Sequence, residues 1–321
     1  MPATLINNNS TVRLELPKSK ASAEVRLYGA TVTSWKSNGG QEKLFLSSKA
    51  ALDGSSAIRG GIPIVFPVFG SPSDHKDAPL EVSRLPKHGF ARTENWSISN
   101  RLSPVDEEGQ VSVTLELSTT TRPNLKAVWD YDLHLEYTVT LTPSTLKCRL
   151  TVAHLATSPN SPMPFQALLH NYLAVPDSTK AGISDLSGSF YLDKNAGGEE
   201  GEELSQEIKL QGEPCDRVYV GKVKDSADGL SDGGRDITLK YNASLLDDPL
   251  RRMGKGVELS RSKELRDTVI WNPGQEAGDA IADLHEGGWK EYVCVEPGSV
   301  AGFEKLESGQ TWQAEQTLTA W

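Results

Sequence analysis

Residues 131–141 read YDLHLEYTVTL, and apolar and polar side chains alternate along the whole run. Residues 146–152, LKCRLTV, alternate in the same way, and Pro143-Ser144 lies between the two runs. Successive side chains of a β-strand point to opposite faces, so each run predicts a strand with one buried and one exposed face. The short polar connection predicts that the two strands pair as a hairpin.

Short runs of the same kind recur along most of the chain, at 12–16, 23–28, 111–117, 165–175, 236–241, 268–271, 291–295 and 312–318. No stretch carries a sustained apolar stripe with the period of an α-helix. Many short strands without alternating helices predict an all-β fold, a large antiparallel β-sandwich, rather than a βαβ arrangement. A length of 321 residues fits one such domain or two average ones.

Two segments interrupt the strand pattern. Residues 193–207 contain the run GGEEGEE, and residues 222–235 are rich in Asp, Gly and Ser. Glycines and clustered like charges disfavour packing, so both segments are predicted to be surface loops, with an interdomain linker as the alternative. Because strand-like runs resume after residue 235, we expect a single domain over residues 1–321. Residues 1–10 are expected to be flexible.

Charge and cysteine usage exclude several classes of protein. The net charge of −10 and the isoelectric point of about 5.2 argue against nucleic acid or an anionic membrane as a partner. Cys148, Cys215 and Cys294 stand singly, which is typical of a reduced compartment. Residues 1–10 show no secretory signal. We therefore expect a cytoplasmic protein, and we expect it to be a monomer.

A cationic block begins at Arg59. Residues 58–70 read IRGGIPIVFPVFG, so that Arg59 directly precedes Gly60-Gly61. A guanidinium beside two glycines can reach a ligand where the backbone makes a turn that larger side chains would block. The apolar remainder is short and broken by proline, which indicates a buried extended segment rather than a membrane span.

A second cationic block, LPKHGFAR, covers residues 85–92. From Arg59 to Arg92, five basic residues stand against three acidic ones in a chain that is acidic as a whole. Such a local excess of positive charge suits a phosphate dianion, because arginine offers two-point hydrogen bonding as well as charge. Lys76 and Arg84 also fit the description of ordinary surface cations.

Two candidate catalytic residues lie on polar faces of predicted strands. His170 has the opposite parity to the apolar residues of 165–175 and shares its face with Gln166 and Tyr172. Glu296 ends a run that alternates with valines, directly before the turn-forming Pro297-Gly298. Strand ends beside turns commonly present functional groups. Each local pattern also fits a structural histidine or an ordinary exposed glutamate.

Five sequence blocks, taken in their order along the chain, resemble those of a known protein family. They are RGGIPIVFPVFG at 59–70, LPKHGFAR at 85–92 followed by Trp96, LLHNY at 168–172, DTVIWNP at 267–273 and VCVEPG at 293–298. Together they resemble the glucose-6-phosphate 1-epimerases, or hexose-6-phosphate mutarotases, of the aldose-1-epimerase superfamily. The resemblance spans residues 15–318 and implies the galactose-mutarotase fold, a large single-domain β-sandwich.

The resemblance also implies roles for individual residues. His170 matches the general acid of the family and Glu296 matches its general base. Three cations line the phosphosugar site of the family and one aspartate binds the sugar; the matching residues here are Arg59, Lys87, Arg92 and Asp216. Relatives often carry glutamine at the position of Lys87. His88 is expected to be structural, since the histidine role is already filled.

The implied reaction is the interconversion of the α and β anomers of a hexose 6-phosphate, a small-molecule partner. It requires an acid and a base that exchange roles, and neither a cofactor nor a metal. The sequence has no His-x-x-x-His pair, Cys-x-x-Cys pair or dinucleotide fingerprint. A neutral-sugar mutarotase and a non-catalytic sugar-phosphate-binding sandwich are the alternatives, because this fold class hosts several functions.

Overall fold

The structure is a computed structural model that describes residues 3–99, 106, 109–155, 162–221, 236–241 and 255–321. Its strands, in chain order, are β1 (Ala3–Ile6), β2 (Thr11–Leu16), β3 (Ala21–Arg26), β4 (Val32–Ser37), β5 (Gln41–Glu42), β6 (Ile64–Val65), β7 (Ser97–Ile98), β8 (Val111–Ser118), β9 (Leu133–Leu141), β10 (Thr145–His154), β11 (Met163–Leu169), β12 (Tyr172–Ala174), β13 (Gly182–Ser184), β14 (Phe190–Asp193), β15 (Glu199–Glu202), β16 (Glu207–Ile208), β17 (Cys215–Tyr219), β18 (Ile237–Lys240), β19 (Gly256–Arg261), β20 (Asp267–Asn272), β21 (Tyr292–Leu306) and β22 (Thr311–Ala320).

Helices are short in the described part of the chain. The α-helices are α1 (Pro123–Val128) and α2 (Gly274–Asp279). Single 3₁₀ turns occur at Pro72–Asp74, Leu80–Val82, Ala91–Thr93, Thr119–Thr121, Ser178–Lys180, Lys194–Ala196 and Gly288–Glu291. None of these described helices has the length and apolar character that crossing a membrane would require.

The described strands form three antiparallel sheets. The first has the order β1-β2-β3-β4-β5, and the second β16-β13-β18-β19-β22-β10-β9-β8-β7. The third has the order β15-β14-β17-β20-β21-β11-β6, with β12 also paired to β21. The hairpin predicted from residues 131–152 is confirmed as β9 and β10, in which Tyr137 pairs with Leu150. The prediction of an all-β antiparallel sandwich is also confirmed.

The two faces of the third sheet have different surroundings. On β21, Val293 and Val295 belong to the main apolar core, which also takes residues from the other two sheets. Cys294 and Glu296 have the opposite parity and point to the other face, where smaller apolar clusters cover the sheet. This second face, which we call the outer face, carries Asp216 and Glu296, two of the polar residues that the sequence singled out.

The prediction of a surface loop at 193–207 is wrong for residues 199–202, which form strand β15 paired with β14 at the sheet edge. The run of glutamates is stabilised there because Arg217 lies 3.2 Å from Asp193 and 3.3 Å from Glu203. Glu203 also accepts a hydrogen bond from Tyr219 and is buried. The segment 222–235 lies outside the described residues.

The chain start also differs from the expectation of flexibility over residues 1–10. Residues 3–6 form strand β1, and Leu5 pairs with Val12 of β2. Ala3 is buried and joins the main core. Strand pairing therefore orders a segment whose sequence has no marked alternation.

Candidate active site

A row of neighbouring side chains crosses the outer face of the third sheet. The strand register places Asp216 on β17 beside Trp271 on β20, Trp271 beside Cys294 on β21, and Cys294 beside Tyr172 on β12. Glu296 lies two residues beyond Cys294 on the same face of β21. Four consecutive strands thus build one wall of a cavity.

His170 directly follows the end of β11 at Leu169, and together with Asn171 it forms the short break before β12. Its backbone N–H donates to the carbonyl of Pro63 at 3.0 Å, and its ring stacks on Tyr172 at 4.6 Å between centroids with an interplanar angle of 6°. The Nδ1 atom lies 3.4 Å from Oε1 of Glu296. Both residues are buried, with 8% of His170 and 1% of Glu296 exposed. The interplanar contact holds the imidazole in one orientation toward the carboxyl group.

Burial favours the uncharged forms of both His170 and Glu296. Burial lowers the pKa of His170 to about 3, and the charges of Arg92 and Arg59 act in the same direction. Burial raises the pKa of Glu296 well above its usual range, and Asp216 adds to that effect. Both shifts favour a proton on Glu296 over a proton on His170 in the free site. Moving it across 3.4 Å to His170 would give the imidazolium and carboxylate forms without any change in the total charge.

Two atoms of this pair lack a hydrogen-bond partner among the residues that the structure describes. They are Nδ1 of His170 and Oε2 of Glu296, and both are inaccessible to solvent. Buried polar atoms normally have partners, because an unpaired one costs roughly 1–3 kcal/mol. Because Nδ1 of His170 faces Oε1 of Glu296 at 3.4 Å, a proton shared within the pair or a ligand group can supply the partner that each atom lacks.

Arg59, which also lines this cavity, is held in place by two contacts. Its Nε donates to Asp283 at 3.0 Å, and its Nη1 donates to the hydroxyl of Tyr172 at 3.2 Å. The following Gly61 has a φ of +69°, and a Cβ there would lie 2.1 Å from the carbonyl oxygen of Val32. The glycine turn predicted beside Arg59 is thus required by the close approach of two backbone segments.

Arg92 is half-buried beside Arg59. Burial lowers the pKa of its guanidinium, and the charge of Arg59 adds to the effect. Its Nη2 donates to the carbonyl of Lys87 at 2.9 Å, while its Nε is inaccessible and without a partner. No carboxylate forms an ion pair with Arg92 in the described part of the chain. Two neighbouring guanidinium groups with a single carboxylate between them form a binding site for an anion.

His88 also lines the cavity, although the sequence indicated a structural role. Its Nδ1 accepts a hydrogen bond from the backbone N–H of Gly70 at 3.2 Å. Burial lowers the pKa of His88, with the charges of Arg92 and His170 adding to the effect. The ring is therefore neutral and carries its proton on Nε2, which makes it a hydrogen-bond donor in the wall.

All six residues singled out from the sequence line one cavity of about 190 Å³: Arg59, Lys87, Arg92, His170, Asp216 and Glu296. Lys87 is exposed at this cavity, whereas burial raises the pKa of Asp216 against the opposing charge of Lys194. The sequence reasoning missed the rest of the lining, chiefly Trp271 and Lys194. Trp271 stands in a quoted block and could have been found by strand parity, whereas nothing in the sequence pointed to Lys194.

The donor atoms of His170, Cys294 and Glu296 lie within 4.8 Å of one another, a set that could hold a zinc-like cation. The charge of the cavity opposes this, because four cationic side chains line it against two carboxylates: Arg59, Lys87, Arg92 and Lys194 against Asp216 and Glu296. A positive wall repels a divalent cation and attracts an anion. The cavity is therefore suited to an anionic ligand with polar groups near His170 and Glu296.

Known proteins resemble this chain over most of its length. A family model for aldose 1-epimerases matches residues 11–319. A protein of Cenchrus ciliaris, provisionally named glucose-6-phosphate 1-epimerase, is 28% identical over 298 residues, which cover 93% of this chain and 81% of that protein. A protein of the same name from Escherichia coli is 28% identical over 310 residues, 94% of this chain and 87% of that protein.

Solved structures share the fold. A protein from Salmonella typhimurium, provisionally described as a mutarotase, superposes with a TM-score of 0.75 at 22% identity and covers 99% of this chain and 96% of its own. A galactose mutarotase-like protein from Clostridium acetobutylicum gives a TM-score of 0.71 at 17% identity over 98% of this chain and 96% of its own. These likenesses confirm the galactose-mutarotase-like fold that the sequence predicted.

Proposed function

Because the chain belongs to the aldose 1-epimerase family, we propose that it interconverts the α and β anomers of a hexose 6-phosphate. Family membership makes it an isomerase whose partner is a small-molecule sugar. Family membership does not specify a phosphorylated sugar, and the preference for a phosphate needs its own support. The preference for a phosphate rests on Arg59 and Arg92. Arg59 pairs with the carboxylate of Asp283, whereas Arg92 has no carboxylate partner within the described residues.

The uncompensated charge of Arg92 is costly in the free protein, because a desolvated cation without a counter-ion is unfavourable. A phosphate dianion bound between Arg59 and Arg92 would supply that counter-ion. Charge-assisted hydrogen bonds of this kind are about twice as strong as neutral ones. A neutral sugar would leave Arg92 as it is, so the pair favours a phosphorylated substrate.

His170 and Glu296 would carry the chemistry. Epimerisation at C1 opens the hemiacetal, rotates the C1–C2 bond and closes the ring on the other face of the carbonyl. As the ring opens, the Glu296 carboxylate accepts the proton of the C1 hydroxyl and the His170 imidazolium donates a proton to the ring oxygen. On closure each group reverses its role, so both return to their starting states after one turnover.

The phosphate would also prepare the catalytic pair. The charges of Arg92 and Arg59 add to the burial that lowers the pKa of His170. A bound dianion offsets both charges, which favours the movement of the shared proton from Glu296 to His170. The productive imidazolium and carboxylate would thus form when a phosphosugar occupies the site. Asp216 would accept a hydrogen bond from a sugar hydroxyl, and Lys87 would meet the ligand at the mouth.

The reaction as proposed requires no cofactor or metal, since both proton transfers are supplied by side chains. A cytoplasmic location, a monomeric state and the absence of nucleic-acid or membrane partners remain predictions from composition. They accord with a phosphorylated small molecule as substrate, because such metabolites are charged and do not cross membranes unaided.

The test is the rate of anomer exchange, followed by NMR or polarimetry, with α-glucose 6-phosphate and with α-glucose. We expect kcat/KM for the phosphosugar to exceed that for glucose by at least about tenfold, the effect of one charge-assisted contact. Equal rates would identify a neutral-sugar mutarotase. Binding of glucose 6-phosphate without accelerated exchange would identify a non-catalytic binding protein, and either result would overturn the proposal.

A further inference from the structure

Lys194 reaches the cavity from the hairpin of β14 and β15, the element at the edge of the third sheet. The backbone on both sides of it is fixed by hydrogen bonds. Asp193 accepts from the backbone N–H of Asn195 at 3.0 Å and from Nε of Arg217 at 3.2 Å. The side-chain amide of Asn195 donates to the carbonyl of Pro214 at 3.2 Å. The hairpin therefore presents Lys194 from a rigid support.

The ammonium group of Lys194 lies over the ring of Phe69, with Nζ 4.6 Å from the ring centroid. It forms no hydrogen bond and no ion pair with any residue that the structure describes. A half-buried ammonium in a cavity wall, with three donor hydrogens and an aromatic face beneath it, is available to a ligand.

Lys194 lies beside Asp216, because the preceding residue, Asp193 on β14, pairs with Arg217 on the antiparallel strand β17. Its charge acts on Asp216 and on Glu296. The groups whose charges act on Arg92 are different, namely Tyr172, Arg59, Tyr28 and Asp283. A ligand whose phosphate lies between the arginines would therefore direct its sugar ring, rather than its phosphate, toward Lys194.

We propose that Lys194 is a substrate-binding residue that donates hydrogen bonds to hydroxyl groups of the sugar ring and, together with Asp216, positions C1 over His170 and Glu296. An acceptor and a donor side by side can bind two neighbouring hydroxyls, as one hydroxyl donates to Asp216 while the next accepts from Lys194. This inference rests on the proposed function for the orientation of the ligand. It assigns the edge hairpin a part in recognising the sugar.

Lys194 also affects the pKa of Glu296, the proposed general base. The positive charge of Lys194 opposes the rise in the pKa of Glu296 that burial and Asp216 produce. Removal of that charge raises the pKa of Glu296 further, so the catalytic pair keeps its proton to a higher pH. A residue with a purely structural role in the hairpin would not move the pH profile in this way.

The test compares Lys194→Met, which removes the charge but keeps the chain length, with Lys194→Arg, which keeps the charge. The matched control is Lys209→Met, because the Lys209 side chain is 59% exposed and pairs with Glu207 away from the cavity. We expect Lys194→Met to lower kcat/KM about tenfold on glucose 6-phosphate and by a similar factor on glucose. The alkaline limb of its pH–rate profile should move to higher pH. Lys194→Arg should restore most of the activity, and Lys209→Met should match the unmodified protein.

Three results would overturn the proposal: unchanged kcat/KM in Lys194→Met, a loss confined to the phosphosugar, or an unshifted alkaline limb. A loss confined to the phosphosugar would make Lys194 a phosphate ligand instead. The proposed function fails separately, through equal activity of the unmodified protein on the two sugars. In that case the loss on glucose in Lys194→Met still tests the contact with the ring.

Discussion

Replacement of Arg92 by alanine should separate the phosphorylated from the neutral sugar. The guanidinium of Arg92 has the positive charge of Arg59 near it. It has no carboxylate partner among the described residues. Losing one charge-assisted contact to a phosphate removes about 1.5–3 kcal/mol. That corresponds to a decrease in kcat/KM of about ten- to a hundredfold for glucose 6-phosphate.

The loss should appear in kcat as well as in KM. Binding energy from a group remote from C1 can hold the ring where proton transfer occurs, so a weakened phosphate contact also affects turnover. The charge of Arg92 contributes to the low pKa of His170 in the free site, and its removal relieves that effect only in part, because burial is the larger cause. Exchange of glucose, which has no phosphate, should therefore change little.

The assay is anomer exchange measured on both sugars for the unmodified protein, Arg92→Ala and Arg84→Ala. Arg84 belongs to the same cationic stretch of sequence but lines a different surface groove with Leu80 and Val128, so it serves as the matched control. Arg84→Ala should keep normal kcat/KM on both sugars. A loss of equal size on glucose and glucose 6-phosphate in Arg92→Ala would refute the phosphate-reading role of Arg92.

The remaining predictions concern the catalytic pair, the mouth and the glycine turn. His170→Ala and Glu296→Gln should each lower kcat on the order of 10²-fold or more while phosphosugar binding changes much less, and near-normal turnover in either variant would contradict its role. The pH profile of kcat/KM should be bell-shaped. Activity should fall at low pH, where the His170–Glu296 pair gains a second proton below the lowered pKa of His170, and at high pH, where the pair loses its proton above the raised pKa of Glu296. A profile without an alkaline limb would contradict this. Lys87→Gln should change kcat/KM less than about fivefold, because Lys87 is exposed; a larger loss would make it a principal ligand. Gly61→Ala should lower the free energy of unfolding, measured in urea, by at least about 2 kcal/mol. The control Gly39→Ala should lower it by about 1 kcal/mol, because Gly39 also has a positive φ, +84°, but no atom lies within 4 Å of the added carbon.

Strand parity predicted from the sequence which face two residues of the site occupy. Alternation placed His170 opposite the apolar residues of its strand and placed Glu296 opposite Val293 and Val295, and the structure has both on the outer face of the third sheet. Parity reports which face a residue occupies, but it does not report which strands are neighbours. The distance of 3.4 Å between the two side chains depends on the pairing of β21 with β11 and β12. The alternation did not predict this pairing, and the family resemblance named the two residues as acid and base without it.

The edge hairpin could not be predicted in the same way. Residues 199–202 read EEGE, which has low strand propensity and a high local charge. The strand forms because Arg217, a residue distant in sequence, compensates Asp193 and Glu203 and stacks its guanidinium 4.4 Å from the centre of the Tyr191 ring. Tertiary contacts thus override a local signal, and with the hairpin the cavity gains Lys194.

Tyr172 links Arg59 and His170 into one electrostatic unit. Its hydroxyl accepts a hydrogen bond from Arg59, and its ring stacks on the imidazole of His170. An anion bound to Arg59 is therefore separated by one side chain, that of Tyr172, from His170, the group that must become protonated. A neutral ligand leaves the repulsion between the arginines and an imidazolium in place. On this reasoning the phosphate serves both as a binding group and as the counter-charge that allows His170 to act as an acid, so the specificity and the proton transfer of this site depend on the same charges.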